Sequence, residues 1–162
     1  MSPMKNLFAA GALLAMTALV FGAPISAFAQ APHGGDAMLI SQVQTELKTA
    51  TFHSGELAQK VNALAGVQLH LHHVINCLEG PNGPDYLASV GYPCQGQGNG
   101  IIPDLKVAVM HMVPGSSAAL QEAETCQMLA LQAVASKDIN EAQPFALVIS
   151  RHLQTASQYL SQ

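Results

Sequence analysis

From about residue 37 onward the apolar residues recur every three or four positions, and nowhere does the chain sustain the alternate-residue pattern of a half-buried strand. That period restricts it to helices that each bury one face. Ile40, Val43, Leu47 and Ala50 mark a first helix over about 37–51. Ser54 is placed to cap a second over about 55–79, where Leu57, Val61, Leu64, Leu71, Ile75 and Leu78 keep a seven-residue rhythm and Gln68 fills its one polar slot. "EGPNGPD" then stops the helix, because its glycines and prolines neither continue a helix nor suit a central strand.

Residues 80–103 form a loop too long for a plain connection in a compact domain. Pro103 suits a first helical turn, and "LKVAVMHMV" gives a short helix that must break or kink at Pro114-Gly115. Ser116 or Ser117 caps the continuation to about Ser136, with Leu120, Ala123, Leu131 and Val134 on one side. A last helix starts between Asp138 and Glu141, with Pro144 tolerable in its first turn and a stripe of Phe145, Ile149, His152, Ala156 and Tyr159. The expected fold is all-α: an antiparallel four-helix bundle with a long, disulfide-pinned loop between helices two and three.

Residues 1–29 read as a cleaved export signal. Lys5 supplies the positive start, "LFAAGALLAMTALVFGAPI" the apolar stretch and Ala27-Phe28-Ala29 the cleavage pattern. Residues 30–162 then form one helical domain, and no integral membrane segment is expected after cleavage. A Sec-type signal of this kind fits a periplasmic protein, with secretion as the alternative. Charged residues are only 10% of the chain and the net charge is -4, so no basic face is available for nucleic acid. The absence of Trp argues against a base- or sugar-stacking platform.

In an oxidising compartment three cysteines leave one over. Cys77 and Cys94 flank the long loop, and a disulfide between them would stabilise the fold by about 3 kcal/mol in the chain-entropy model. Cys126 is then the odd thiol, either a small buried hydrophobe or a ligand pointing into the bundle.

The densest chemistry lies in "GVQLHLHHVINCLEG". At 100° per residue His70 and Cys77 share a direction on the helix, His73 stands about 60° from His70 one turn along, and His72 leaves on the other side. Ala63 and Gly66 on the same edge leave room for a bulky group or a close neighbouring helix. His70 and His73 are therefore candidate co-facing metal ligands. His152, on the expected seam of the last helix, is a candidate partner, and so is Cys126. Met110, His111 and Met112 form an alternative soft site of the kind that selects copper(I), provided that the chain is irregular there.

A small exported bundle with His152 on its last helix and Met38 near the start of its first resembles the architecture of the periplasmic b-type cytochromes. The likeness implies non-covalent haem b held by His152 and Met38, although the "HLHH" segment and the cysteine-flanked loop lie outside that pattern. C-x-x-C-H, C-x-x-C and H-E-x-x-H are all absent, as are Glu-x-x-His and G-x-S-x-G. The expected function is accordingly non-enzymatic: metal handling or storage by imidazoles that bind copper or zinc. A haem protein and an interaction or homodimerisation module with structural histidines are the alternatives.

Overall fold

The structure is a computed structural model and describes residues 34–162; the expected export signal lies outside them. Every regular element among these residues is helical. Helix α1, Gly34–Phe52, runs into a π-helical turn, His53–Leu57, and on into the short α2, Ala58–Lys60. After a break follow α3, Leu64–Glu79, a 3-10 turn at Ala88–Val90, α4, Ile101–Met110, α5, Ser116–Ala135, and α6, Ile139–Tyr159. No described helix is long and apolar enough to cross a membrane.

Five helices, α1, α3, α4, α5 and α6, pack together where four were expected. The difference lies at Pro114. Instead of kinking one long helix, the chain leaves α4 through Met112 at φ 57° and enters α5 through Gly115 at φ 77°, so the two are separate elements. Gly115 is required there, because a Cβ would stand 2.0 Å from the Tyr159 carbonyl oxygen at the end of α6.

The first helix boundary also moves. Ser54 caps nothing; its hydroxyl donates back to the Ala50 and Thr51 carbonyls at 3.0 and 3.2 Å, and the helix continues. The chain turns extended only at Val61 and Ala63. A distant residue makes this ending favourable. Gln143 on α6 donates to the Ala58 and Val61 carbonyls at 3.1 and 2.8 Å, satisfying acceptors that a helix end leaves open. The space beside Gly66 is taken by Val61, whose Cβ would lie 3.0 Å from an added methyl.

Helices α5 and α6 form a hairpin, and their contact is the most extensive between helices among the described residues. Ala119, Ala123, Cys126, Ala130 and Ala133 meet Ala142, Ala146, Ile149, Leu153 and Ala156, all fully buried. Both rows repeat in steps of four and three, and their small side chains let the helices approach closely. Asp138 caps α6 by accepting from the Asn140 amide at 2.9 Å. Pro144 is the sixth residue of α6 rather than part of its first turn; the acceptor it leaves unbonded, the Asn140 carbonyl, belongs to an exposed residue.

The segment between α3 and α4 is tied to the core throughout. The Sγ atoms of Cys77 and Cys94 are 2.00 Å apart, a disulfide separation. Glu79 accepts from the Asp85 amide at 2.8 Å and from Gln127 at 2.5 Å. At the far end, Asn99 donates twice to Asp104, and the Gly100 amide donates to Glu46 at 3.0 Å.

Glu46 is wholly buried beside Asp104, and burial, reinforced by the Asp104 charge, pushes its carboxyl up to about 8 from 4.5. A carboxyl whose pKa is raised in the folded state binds its proton better there than in the unfolded chain. Its contribution is full below pH 4.5 and is lost as the pH rises through 8. Glu46→Gln should therefore unfold at a higher urea concentration than the wild type at pH 9 and at nearly the same concentration at pH 5. Parallel stability profiles for the two proteins across that range would refute the assignment.

Candidate metal centre

The π-helical turn at His53–Leu57 inserts an extra residue into the helix and changes the direction in which its side chains leave. It is packed against α6 at Gly55, where a Cβ would sit 2.5 Å from the Ser150 hydroxyl. His53, the first residue of the turn, meets His70 and His73 of α3. The ring centroids of His53 lie 5.4 Å from those of His70 and 4.7 Å from those of His73, and His70 and His73 are 5.7 Å apart.

Their Nδ1 atoms face one another. That of His53 is 3.3 Å from that of His70 and 3.1 Å from that of His73. One nitrogen from each ring lies within 4.8 Å of the other two, a group that can hold a metal ion. Two ligands at 2.0–2.1 Å from a tetrahedral ion stand about 3.3 to 3.4 Å apart, close to the two separations seen here. The three rings are half-buried, so a bound ion would keep a side toward solvent.

The tautomer of His73 follows from a contact on its far side. Its Nε2 is 2.6 Å from the Val90 carbonyl, and a carbonyl oxygen only accepts. A neutral His73 thus carries its proton on Nε2 and turns the Nδ1 lone pair toward His53, the arrangement in which metal-ligating histidines are commonly held. Two of the rings, His53 and His70, also resist protonation. Burial, then the charges that His73 and His70 would carry, push His53 down to about 4 from 6.5. His70 is lowered by burial and by His73. Ligand nitrogens must be deprotonated to bind, so this environment favours a cation other than the proton.

The remaining sequence candidates lie elsewhere. His152 is not on the α6 seam, which runs through Leu153; it sits on the flank of the helix with its Nδ1 2.5 Å from Glu122 of α5. Cys126 is buried, its thiol donating to the Ile149 carbonyl at 3.5 Å, and burial together with the Glu122 charge pushes it up to about 12. Neither residue belongs to the histidine group. Met38 is 66% exposed on α1. In the soft alternative, Met110 and Met112 are 71% and 86% exposed, and His111 turns its Nδ1 to Asp36 at 2.6 Å. His72 is outside the histidine group, with a buried Nδ1 that has no hydrogen-bond partner among the described residues.

His53 was not among the sequence candidates. Nothing in "TATFHSGEL" marks a π-helical turn, and an expected boundary at 51–55 placed His53 in a linker. The available signal was proximity in the chain: His53 is the next histidine before His70.

No protein-family model, curated protein or solved structure matches the chain.

Proposed function

We propose that this protein is a non-enzymatic, exported helical protein that binds one late transition metal ion through His53, His70 and His73 and serves in metal handling or storage. The observation that supports this reading is the convergence of three Nδ1 atoms at 3.1 and 3.3 Å around His53. Three imidazoles without sulfur suit zinc or copper(II) better than copper(I), which prefers thiolate and thioether. Cys77, the sulfur nearest in sequence, is engaged with Cys94, a pairing that an oxidising compartment would preserve.

Equilibrium dialysis of the whole protein against zinc and against copper(II), followed by metal analysis, tests the proposal. It predicts one ion per chain at micromolar metal or below. Binding of neither metal at that concentration would refute it.

The pH dependence provides a second, independent check. Protons compete with the ion for the ring nitrogens, so affinity falls as the pH falls. Three ordinary imidazoles would contribute a slope of three protons per ion below their pKa. His53, lowered to about 4, contributes nothing between pH 5 and 6. Competition titrations across that window should give a slope of two or less, and a slope of three would contradict the environment described for His53.

A further inference from the structure

The carbonyl that fixes the His73 tautomer belongs to the loop, and the side chain that fixes the loop belongs to α3. Asn76 is fully buried one turn after His73. Its Nδ2 donates to the Leu87 and Gly91 carbonyls at 3.0 and 2.7 Å, and its Oδ1 accepts from the Leu87 amide at 2.8 Å. Three of its four hydrogen-bonding capacities are thus spent on the two residues that bracket the Ala88–Val90 turn. Within that turn the Val90 amide donates to Leu87 and the Gly91 amide to Ala88, at 3.3 and 3.1 Å. Gly91, at φ 93°, turns the chain so closely that a Cβ there would lie 4.0 Å from the His73 Nε2. The Val90 carbonyl is left pointing at the His73 ring at 2.6 Å.

We propose that Asn76 is the positioning residue of the metal centre: it clamps the 87–91 turn so that the Val90 carbonyl holds the His73 proton on Nε2 and keeps Nδ1 open for the ion. The assignment rests on the metal reading of the three histidines. Asn76 touches no ion and acts only through the turn. A side chain buried beside the core would more simply be apolar, since a buried amide must find partners for both its oxygen and its nitrogen. Here every partner is a backbone group of the one turn that contacts His73. The neighbouring Cys77 anchors the same loop further along, at Cys94, whereas the hydrogen bonds to the turn's carbonyls come from Asn76.

Two readouts on the whole protein test this, with zinc as the probe. Long-range proton–nitrogen NMR of the metal-free wild type should report His73 as the Nε2–H tautomer. Asn76→Ala should shift His73 toward a mixture of tautomers and weaken zinc binding about 10- to 100-fold, the range for loss of an outer-shell partner. Asn76→Ser keeps a hydroxyl but is too short to reach both carbonyls, so the same direction of change is expected and a second variant is available if the alanine protein fails to fold. Removing the Cys77–Cys94 pair with alanines should lower stability but leave the His73 tautomer unchanged. A folded Asn76 variant with wild-type zinc affinity and an unchanged His73 tautomer would overturn this assignment alone. Absence of zinc binding in the wild type would overturn the metal reading and this assignment together.

Discussion

His53→Ala should weaken zinc binding by about a hundredfold or more, whereas His152→Ala and Cys126→Ala should leave it unchanged. The expectation follows from position. His53 is the middle member of the group: its Nδ1 is the atom within 3.3 Å of both other rings, so its loss leaves His70 and His73 without the ligand that joins them. Burial and its two neighbours also push it down to about 4, so protons compete little with the ion there. His152 is paired with Glu122 on another face and Cys126 is sealed between α5 and α6. Isothermal titration of the three variants distinguishes this centre from one built on the seam of the last helix. Loss of binding in the His152 variant with retention in the His53 variant would reverse the assignment.

The largest effect on the fold is expected from Gly80→Ala, which should lower stability by about 3 kcal/mol or more. Gly80 ends α3 with φ 70° and ψ 177°, a conformation that is essentially confined to glycine and costs other residues about 1–3 kcal/mol. Strain is only part of the penalty. A Cβ would fall 1.8 Å from the Asn99 carbonyl oxygen, and Asn99 cannot retreat freely because it donates twice to buried Asp104. The start and the end of the long loop are thus packed backbone against backbone. Gly96, with φ 78° but open space around it, provides the contrast: Gly96→Ala carries the strain without the clash and should cost less. Urea denaturation of the two variants measures the difference, and equal losses would show that the contact with Asn99 is unimportant.

The helical class, the helix stop after Glu79 and the shared edge of His70 and His73 are legible in the sequence, because each depends on residues close together in the chain. The seam of α6 is less so. Ile149 and Ala156 fit both possible stripes, and the chosen one passed through Phe145 and His152, whereas the buried one passes through Ala146 and Leu153. Alanine marks a seam weakly: its small size matters only once a second alanine-lined helix, here α5, lies against it. The true end of the first helix is equally hidden. The Gln143 side chain that satisfies the carbonyls of Ala58 and Val61 comes from more than eighty residues away. The π-helical turn has no local signature, and with it went His53. Two of the three histidines in the candidate site were therefore visible as an edge of one helix, while the residue that makes them a group is placed by tertiary packing.

X-ray absorption at the zinc edge of the loaded whole protein tests the claim that three imidazoles hold the ion. The account predicts a first shell of nitrogen and oxygen at about 2.0–2.1 Å, with the outer-ring scattering of three histidines and an exchangeable oxygen in the fourth position. A sulfur shell at about 2.3 Å, or outer-ring scattering from fewer than three imidazoles, would contradict it.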